Sequence, residues 1–229
     1  MRIIAIIPAR GGSKGIPRKN LCLIGDFPLV GLKIEQAKAS MCTEYWVSTD
    51  DEEIKNIAES FGASVIDRPS ELSSDSSSTD DMLVHSMNEL NAREGDILVL
   101  LQPTSPLIKL KTINACIEEL IASPSVASVI SIREGHPFMW RSDSENLWDP
   151  DGHSRKLRPR RQDLGIGGWE TGGCYAIRVE DLQKQKNRYP SPTKAIKISH
   201  LESIDVDTIE DLISANEIFN HKFVLKPEK

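Results

Sequence analysis

Residues 10–20, Arg10-Gly11-Gly12-Ser13-Lys14-Gly15-Ile16-Pro17-Arg18-Lys19-Asn20, bring four cations and three glycines into eleven positions. Glycines let a backbone crowd against a ligand and clustered cations suit a polyphosphate, so the chemistry this loop invites is the holding of a nucleotide triphosphate. The aliphatic run Ile3 to Ile7 ahead of it reads as a buried strand ended by Pro8. A strand feeding such a loop sets N–H groups and cations at the carboxyl edge of a sheet, where open α/β folds bind nucleotides. The alternative is a solvated basic turn. Two familiar phosphate loops are excluded by spacing: there is no G-x-x-x-x-G-K-[ST], and no G-x-G-x-x-G opening a helix.

Three further constellations carry chemistry. In Asp205-Val206-Asp207, extended geometry projects both carboxylates to one face while Val206 packs the other way. Two carboxylates on one face can hold Mg²⁺ together with substrate phosphate oxygens; an Asp helix cap beside a solvated Asp is the competing reading. Arg155-Lys156-Leu157-Arg158-Pro159-Arg160-Arg161 places five cations in seven residues, either a solvated charge run or a bidentate site for carboxylate or phosphate. The polar stretch from Glu71 to Asp81, with Arg68 before it, offers hydroxyls and backbone to a nucleobase edge, or is simply a helix-capping loop. The five histidines lie apart, with no Ser or Cys nucleophile signature beside them, so a hydrolytic triad has no support.

The elements that must position these groups alternate. A helix is expected over Leu32 to Ser40, a strand at Tyr45 to Ser48, and a helix from Glu52 to Phe61 capped by Asp51 and stopped by Gly62. Ser64 to Asp67 is a strand, and a helix from about Asp80 to Arg93 has Ser78 and Asp81 at capping-box spacing. Ile97 to Leu101, purely aliphatic, reads as a strand buried on both faces; a helix from Lys111 to Ser123 and a strand from Ala127 to Ile132 follow. His136 to Leu164 has little periodicity and is too long for an ordinary connection, so it reads as an inserted arm. Strands at Gly173 to Ile177 and Ala195 to Ile198, then a helix from Thr208 to Phe219 after Ile204-Asp205-Val206-Asp207, complete the chain. The pattern predicts a single α/β domain over 1–229, a doubly wound, largely parallel sheet covered by helices.

Composition narrows the partners. At 229 residues, 39% hydrophobic and 27% charged, the chain is ordinary for one globular domain, and a net charge of −6 argues against general nucleic-acid or membrane-surface binding. The start shows no targeting signal and no apolar run of membrane length, so the expected location is cytoplasmic. Four scattered cysteines without a C-x-x-C pair indicate neither disulfides nor zinc.

Taken together and in order, Ile6-Ile7-Pro8-Ala9-Arg10-Gly11-Gly12-Ser13-Lys14-Gly15, Lys19-Asn20-Leu21, Val47-Ser48-Thr49-Asp50, Arg68-Pro69, Leu100-Leu101-Gln102-Pro103-Thr104-Ser105-Pro106-Leu107 and Ser203-Ile204-Asp205-Val206-Asp207-Thr208 resemble the acylneuraminate cytidylyltransferases. The resemblance runs nearly the whole chain. It implies transfer of CMP from CTP to an acidic 2-keto-3-deoxy nonulosonic sugar, of N-acetylneuraminate, legionaminate or pseudaminate type. Within it, Arg10 and Lys14 hold the CTP phosphates, with Gly11, Gly12 and Ser13 in the same loop, and Lys19 and Asn20 close the nucleotide side. Arg68, Ser78 and Thr79 look like the cytidine pocket. Gln102, Arg161, Tyr175 and Tyr189 fall where the family meets the sugar, and Asp205 and Asp207 look like the pair for Mg²⁺ or Mn²⁺, Asp207 with a catalytic part. The resemblance also implies a homodimer whose arm, 136–164, completes the partner's sugar pocket. The chain departs from the family at Phe138 after His136-Pro137 and at Thr171-Gly172-Gly173 before the tyrosine strand, both on the sugar side. A nucleotidyltransferase for another sugar or sugar phosphate, and a non-catalytic nucleotide-binding module, are the alternatives.

Overall fold

A computed structural model describes residues 1–74, 76–135, 138–151, 154, 156, 159–160, 163 and 167–221. In chain order, β1 (Ile3–Pro8) leads through a short hairpin of β2 (Leu23–Ile24) and β3 (Phe27–Pro28) into α1 (Leu29–Ala39). Then β4 (Glu44–Thr49), α2 (Glu52–Ser60), β5 (Ser64–Asp67), α3 (Thr79–Glu89), β6 (Ile97–Leu100), α4 (Leu110–Ala122) and β7 (Ser128–Gly135) alternate. A hairpin of β8 (Met139–Ser142) and β9 (Trp148–Asp151) follows, then β10 (Gly167–Arg178), α5 (Val179–Gln185), β11 (Thr193–Lys197) and α6 (Ile209–Asn220).

Seven strands form one sheet in the order β11-β7-β10-β6-β1-β4-β5. All neighbours are parallel except β10, which runs against both β6 and β7. Strand β1 is central because its first five residues are apolar and buried on both faces. Ile4 and Ile6 point into a core with Met82 and Leu83 of α3 and Leu182 of α5. Ile3, Ala5 and Ile7 point to the other side, among Val30 and Ile34 of α1, Ile54 of α2 and Ile113 and Ile117 of α4. The expected doubly wound α/β sheet is therefore the observed one. A third, smaller core joins Ile16, Ile24, Leu29 and Leu32 to Val206 and to Ala215 of α6. Among the described residues, no helix is long and apolar enough to cross a membrane.

Several expected boundaries shift for physical reasons. Helix α1 starts at Leu29 rather than Leu32, and it is not one-sided: every residue from Leu29 to Ile34 is buried, Lys33 included. It lies between the sheet and the third core, so both faces are covered. Strand β10 starts at Gly167, six residues before the expected Gly173, because its first half pairs with the far end of β7. Strand β11 is Thr193–Lys197 rather than Ala195 to Ile198. The segment 204–207 is not a strand; its Val206 N–H instead donates to the Thr104 carbonyl at 2.7 Å. Within the expected arm the hairpin β8–β9 is regular, whereas His136, Arg161 and Leu164 lie outside the described residues.

The cap of α2 links fold to site. Asp51 accepts from the Glu53 and Ile54 N–H groups, both at 3.0 Å, and from Arg18 at 2.6 and 3.1 Å. Against the upward push of its burial, the Ile54 N–H, Arg18 and the Glu53 N–H hold its carboxyl below the ordinary range. A depressed folded pKa gives stability that is fully present above the unfolded value of about 4 and is lost as pH falls through the folded value. Asp51→Ala is expected to cost about 1 kcal/mol in urea unfolding at pH 7, and the gap to the parent should close in titrations carried below about pH 4.

Candidate active site

The parallel strands β1, β4, β5 and β6 all end at one edge, and the chain turns to opposite sides of β1 at β4 and β6. Loops leaving that edge enclose a cleft of about 350 Å³. Its lining includes Arg10, Ser13, Lys14, Lys19, Asn20, Arg68, Ser78, Thr79, Gln102 and Asp207, drawn from five separate stretches of chain. Open α/β sheets bind ligands at such a switch point.

The β1 loop is pinned on both flanks. Its Gly11 N–H donates to Asp50 Oδ1 at 3.0 Å, and Arg18 reaches Asp51 and Glu53 at 2.6 and 2.7 Å. Lys19 Nζ donates to the Val206 carbonyl at 2.8 Å and to Asp207 Oδ1 at 2.9 Å. Gly15 must be glycine, because a Cβ there would stand 2.2 Å from the Asp207 carbonyl oxygen. Asn20, buried, holds the loop's shape by donating to the Arg10 carbonyl at 3.0 Å. Arg10 extends across the cleft to the Ser73 and Ser74 carbonyls, at 3.2 and 2.9 Å.

The far wall is the serine loop and the start of α3. Ser78 caps this helix by accepting from the Asp81 N–H at 3.0 Å, and the same residue lines the cleft. Thr79 opens the helix beside it, where N–H groups favour anions. Arg68 is buried beneath, donating to Ser48 O at 2.6 Å and Ser48 Oγ at 3.1 Å. Burial pushes its guanidinium down to about 10, Asp50 opposing the shift and Arg10 adding to it. It therefore stays charged at neutral pH.

The two carboxylates occupy unlike places. Asp207 is exposed and paired with Lys19, whereas Asp205 is half-buried and accepts from Ser105 Oγ at 3.4 Å. Burial raises the Asp205 carboxyl; Thr104 lowers it and the charge of Asp207 raises it further. The Asp207 charge lies within electrostatic reach of Asp205, and Val206 between them is fully buried as expected. Among the described residues no three His, Cys, Asp or Glu side chains converge on a metal position. Two mutually repelling carboxylates with hydroxyls beside them form an all-oxygen donor set, which fits a hard divalent cation completed by ligand phosphate oxygens.

Other expected site residues fall elsewhere. Gly11 faces Asp50 rather than the cleft, and Gly12 has nothing within 4 Å of where a Cβ would sit. Tyr175 is buried in β10 and donates its hydroxyl to Glu170; burial, then that carboxylate, pushes the phenol far above its usual range. Tyr189 is exposed on the turn after α5, next to Arg188, which binds Asp80 Oδ1 at 2.8 Å. Arg161 lies outside the described residues. Sequence reasoning passed over Lys33, Ser105 and Glu170: a lysine in a helix and a glutamate in a strand ordinarily read as solvated.

The cytidylyltransferase family model matches residues 4–166, which spans the β1 loop, the serine loop and the Gln102 turn. The chain belongs to the cytidylyltransferase family. It is 34% identical to the CMP-N,N'-diacetyllegionaminic acid synthase of Legionella pneumophila, over 91% of this chain and 92% of that one. It is 36% identical to the N-acylneuraminate cytidylyltransferase A of Danio rerio over 80% of this chain. The chain spans about half the length of the N-acylneuraminate cytidylyltransferases it matches. The structure of CMP:2-keto-3-deoxy-manno-octonic acid synthetase complexed with CTP superposes with a TM-score of 0.71, covering 96% of this chain and 99% of that one at 20% identity, and shows the common fold.

The turn after β6 is seated against a strained glycine. Gly172 has φ +69, and a Cβ there would lie 2.4 Å from Gln102 Oε1. Gly172→Ala should cost about 1–2 kcal/mol from the left-handed backbone alone. It should also swing the Gln102 amide away, seen as a lowered Tm and a displaced Gln102 in a crystal structure of the variant.

Proposed function

We propose that the protein transfers the cytidylyl group of CTP to the anomeric hydroxyl of an acidic 2-keto-3-deoxy nonulosonic sugar, of N-acetylneuraminate, legionaminate or pseudaminate type, releasing pyrophosphate. The observation that carries this reading is the cleft itself. Arg10, Lys14 and Lys19 line it together with the Ser78 and Thr79 hydroxyls and the Asp207 carboxylate. That is a site for a triphosphate and a base at one end and for a cation-linked acceptor at the other.

The sugar hydroxyl gives up its proton to solvent as its oxygen attacks the α-phosphorus; a new P–O bond forms, the bond to the bridging oxygen breaks, and the electron pair leaves with pyrophosphate. Little covalent work is asked of the protein, so positioning and charge neutralisation dominate. Arg10 and Lys14 meet the phosphates as charge builds on the departing oxygens. Arg68, the serine loop, Ser78 and Thr79 hold the cytidine side. Gln102 serves the acidic sugar directly, with Tyr175 behind it in β10 and with Arg161 and Tyr189 brought to the sugar through the dimer. Asp205 and Asp207 would hold Mg²⁺, or Mn²⁺, with phosphate oxygens, and a cation bound there supplies further neutralisation and acidifies the attacking hydroxyl. Asp207 meanwhile keeps Lys19 against the loop. No nucleic acid or membrane takes part in this reading, and the expected place of work is the cytoplasm.

The test is pyrophosphate release from CTP against a panel of acidic eight- and nine-carbon sugars, with UTP, GTP and dTTP as controls. Turnover with CTP and a nonulosonic acid supports the reading; turnover only with a neutral sugar phosphate, or with none, rejects it. Asp207→Ala should raise the barrier by about 3 kcal/mol, and EDTA should abolish turnover. Undiminished rates in EDTA would remove the metal from the scheme.

The same proposal includes a homodimer. The β8–β9 hairpin exposes Met139 (49%), Trp140 (46%), Leu147 (62%) and Trp148 (53%), residue types that interfaces favour. With the Arg-rich stretch beside it, this arm would reach the partner's sugar pocket. Light scattering is expected to give a dimer mass, and specific activity should fall on dilution; a monomer of undiminished activity rejects the shared site.

A further inference from the structure

Lys33 does not line the cleft; it is fully buried in the second turn of α1. Its ammonium donates to the Ser105 carbonyl at 2.8 Å. Three residues on, Gln36 Nε2 donates to the Pro106 and Ile108 carbonyls at 2.8 and 3.1 Å. Two side chains on one face of one helix thus grip three carbonyls of a single turn.

That turn is where the acceptor half of the site is joined. Gln102, at its start, lines the cleft. The Thr104 carbonyl takes the Val206 N–H at 2.7 Å, fixing the backbone between the two carboxylates. Ser105 Oγ has the Thr171 carbonyl at 3.2 Å and Asp205 Oδ1 at 3.4 Å to donate to, tying β10 and Asp205 to the same residue. A packing contact alone would need no charge here: an apolar side chain of equal length would fill the space without the desolvation of an ammonium. Burial pushes Lys33 down to about 7, while Cys174 and Asp205 draw it back up, so the lysine also lies within electrostatic reach of Asp205.

We propose that Lys33 is a positioning residue for the transfer: from inside the core it anchors the 102–108 turn, and through that turn it sets the Gln102 amide and the Asp205 carboxylate where the acceptor sugar meets them. This rests on the cytidylyl-transfer function proposed above.

The experiment compares the parent with Lys33→Met by three readouts. Thermal unfolding should give a Tm within a few degrees of the parent's, the relief of burying an ammonium offsetting the Ser105 carbonyl left without its donor. Amide exchange in the ligand-free protein should quicken about tenfold within 102–108 and 204–207 and stay unchanged in β1, β4 and β6. With CTP and the accepted sugar, kcat should fall about tenfold while the KM for CTP holds within about twofold. A kcat equal to the parent's, or a loss of protection spread over the whole sheet with a lowered Tm, overturns the proposal. If Lys33→Met does not fold, Lys33→Gln carries the same readouts, and failure of both to fold makes Lys33 a folding residue and overturns it as well. If the parent itself transfers nothing from CTP, the proposed reaction falls; the anchoring of the turn is then judged by amide exchange alone, and unchanged exchange in 102–108 rejects it.

Discussion

One ammonium closes the site. Lys19 Nζ bonds the Val206 carbonyl and the Asp207 carboxylate, across 187 and 188 positions of sequence. Joining segments so far apart carries a large entropic cost, and a lone ion pair with an exposed Asp207 would not offset it. The offset comes from the core: Val206 is fully buried with Ile16 of the same loop, Leu29 and Leu32 of α1 and Ala215 of α6. Helix α6 then fixes the direction of approach, since Asp211 accepts from the Asp207 and Thr208 N–H groups at 3.1 and 2.8 Å while Thr208 caps the helix. The carboxylate at the mouth of the cleft is thereby set by a helix cap, and the backbone contact at Gly15 follows from it.

Charge in this molecule is local. A chain of net charge −6 gathers Arg10, Lys14, Lys19 and Arg68 around one cleft. Arg18, from the same loop, is spent outside the cleft on Asp51 and Glu53, where it stiffens the loop instead of meeting a ligand. Arg68 is the costliest of the set, because it is buried. It survives that burial through the Ser48 carbonyl and hydroxyl, and Asp50 supports its charge. Held by these two hydrogen bonds, the charge is fixed in the floor before any ligand arrives.

The chain was most legible where local chemistry and tertiary structure agree. The aliphatic period of Ile3 to Ile7, the Asp51 cap and Gly62 after α2, and the Ser78 cap each announce themselves within a few residues, and each stands where expected. The side of the cleft lined by the β1 loop was legible for the same reason, since its glycines and cations sit on one short loop. The side around the Gln102 turn was not. Its parts come from α1, the turn after β6, β10 and the approach to α6, and they meet only through contacts such as Lys33 to Ser105 and Ser105 to Thr171. No spacing along the chain encodes those. The 204–207 segment shows the limit from the other side: alternation of apolar and acidic residues reads as a strand, but the backbone bonds Thr104 instead of a ladder.

The reversed direction of β10 explains how Thr171 comes to meet Ser105 at this edge. A seventh parallel strand would bring only its carboxyl end to the cleft, whereas an antiparallel one sends its amino half, Gly167 to Gly173, past Leu100 and over the same edge. That half cannot continue a regular ladder, and its register against β7 breaks between Glu170 and Tyr175. The break, with Gly172 at φ +69, turns the Thr171 carbonyl toward Ser105 and leaves Glu170 over the Tyr175 hydroxyl. Bulges of this kind re-aim side chains without disturbing the strand beneath them. The loops that line the cleft therefore leave the ends of parallel strands, while the stretch packed behind the Gln102 turn is an irregular part of an antiparallel one. Substitution along 167–173 can shift the Gln102 turn through Gly172 and Thr171 while β1, β6 and the loop that holds the cations keep their places.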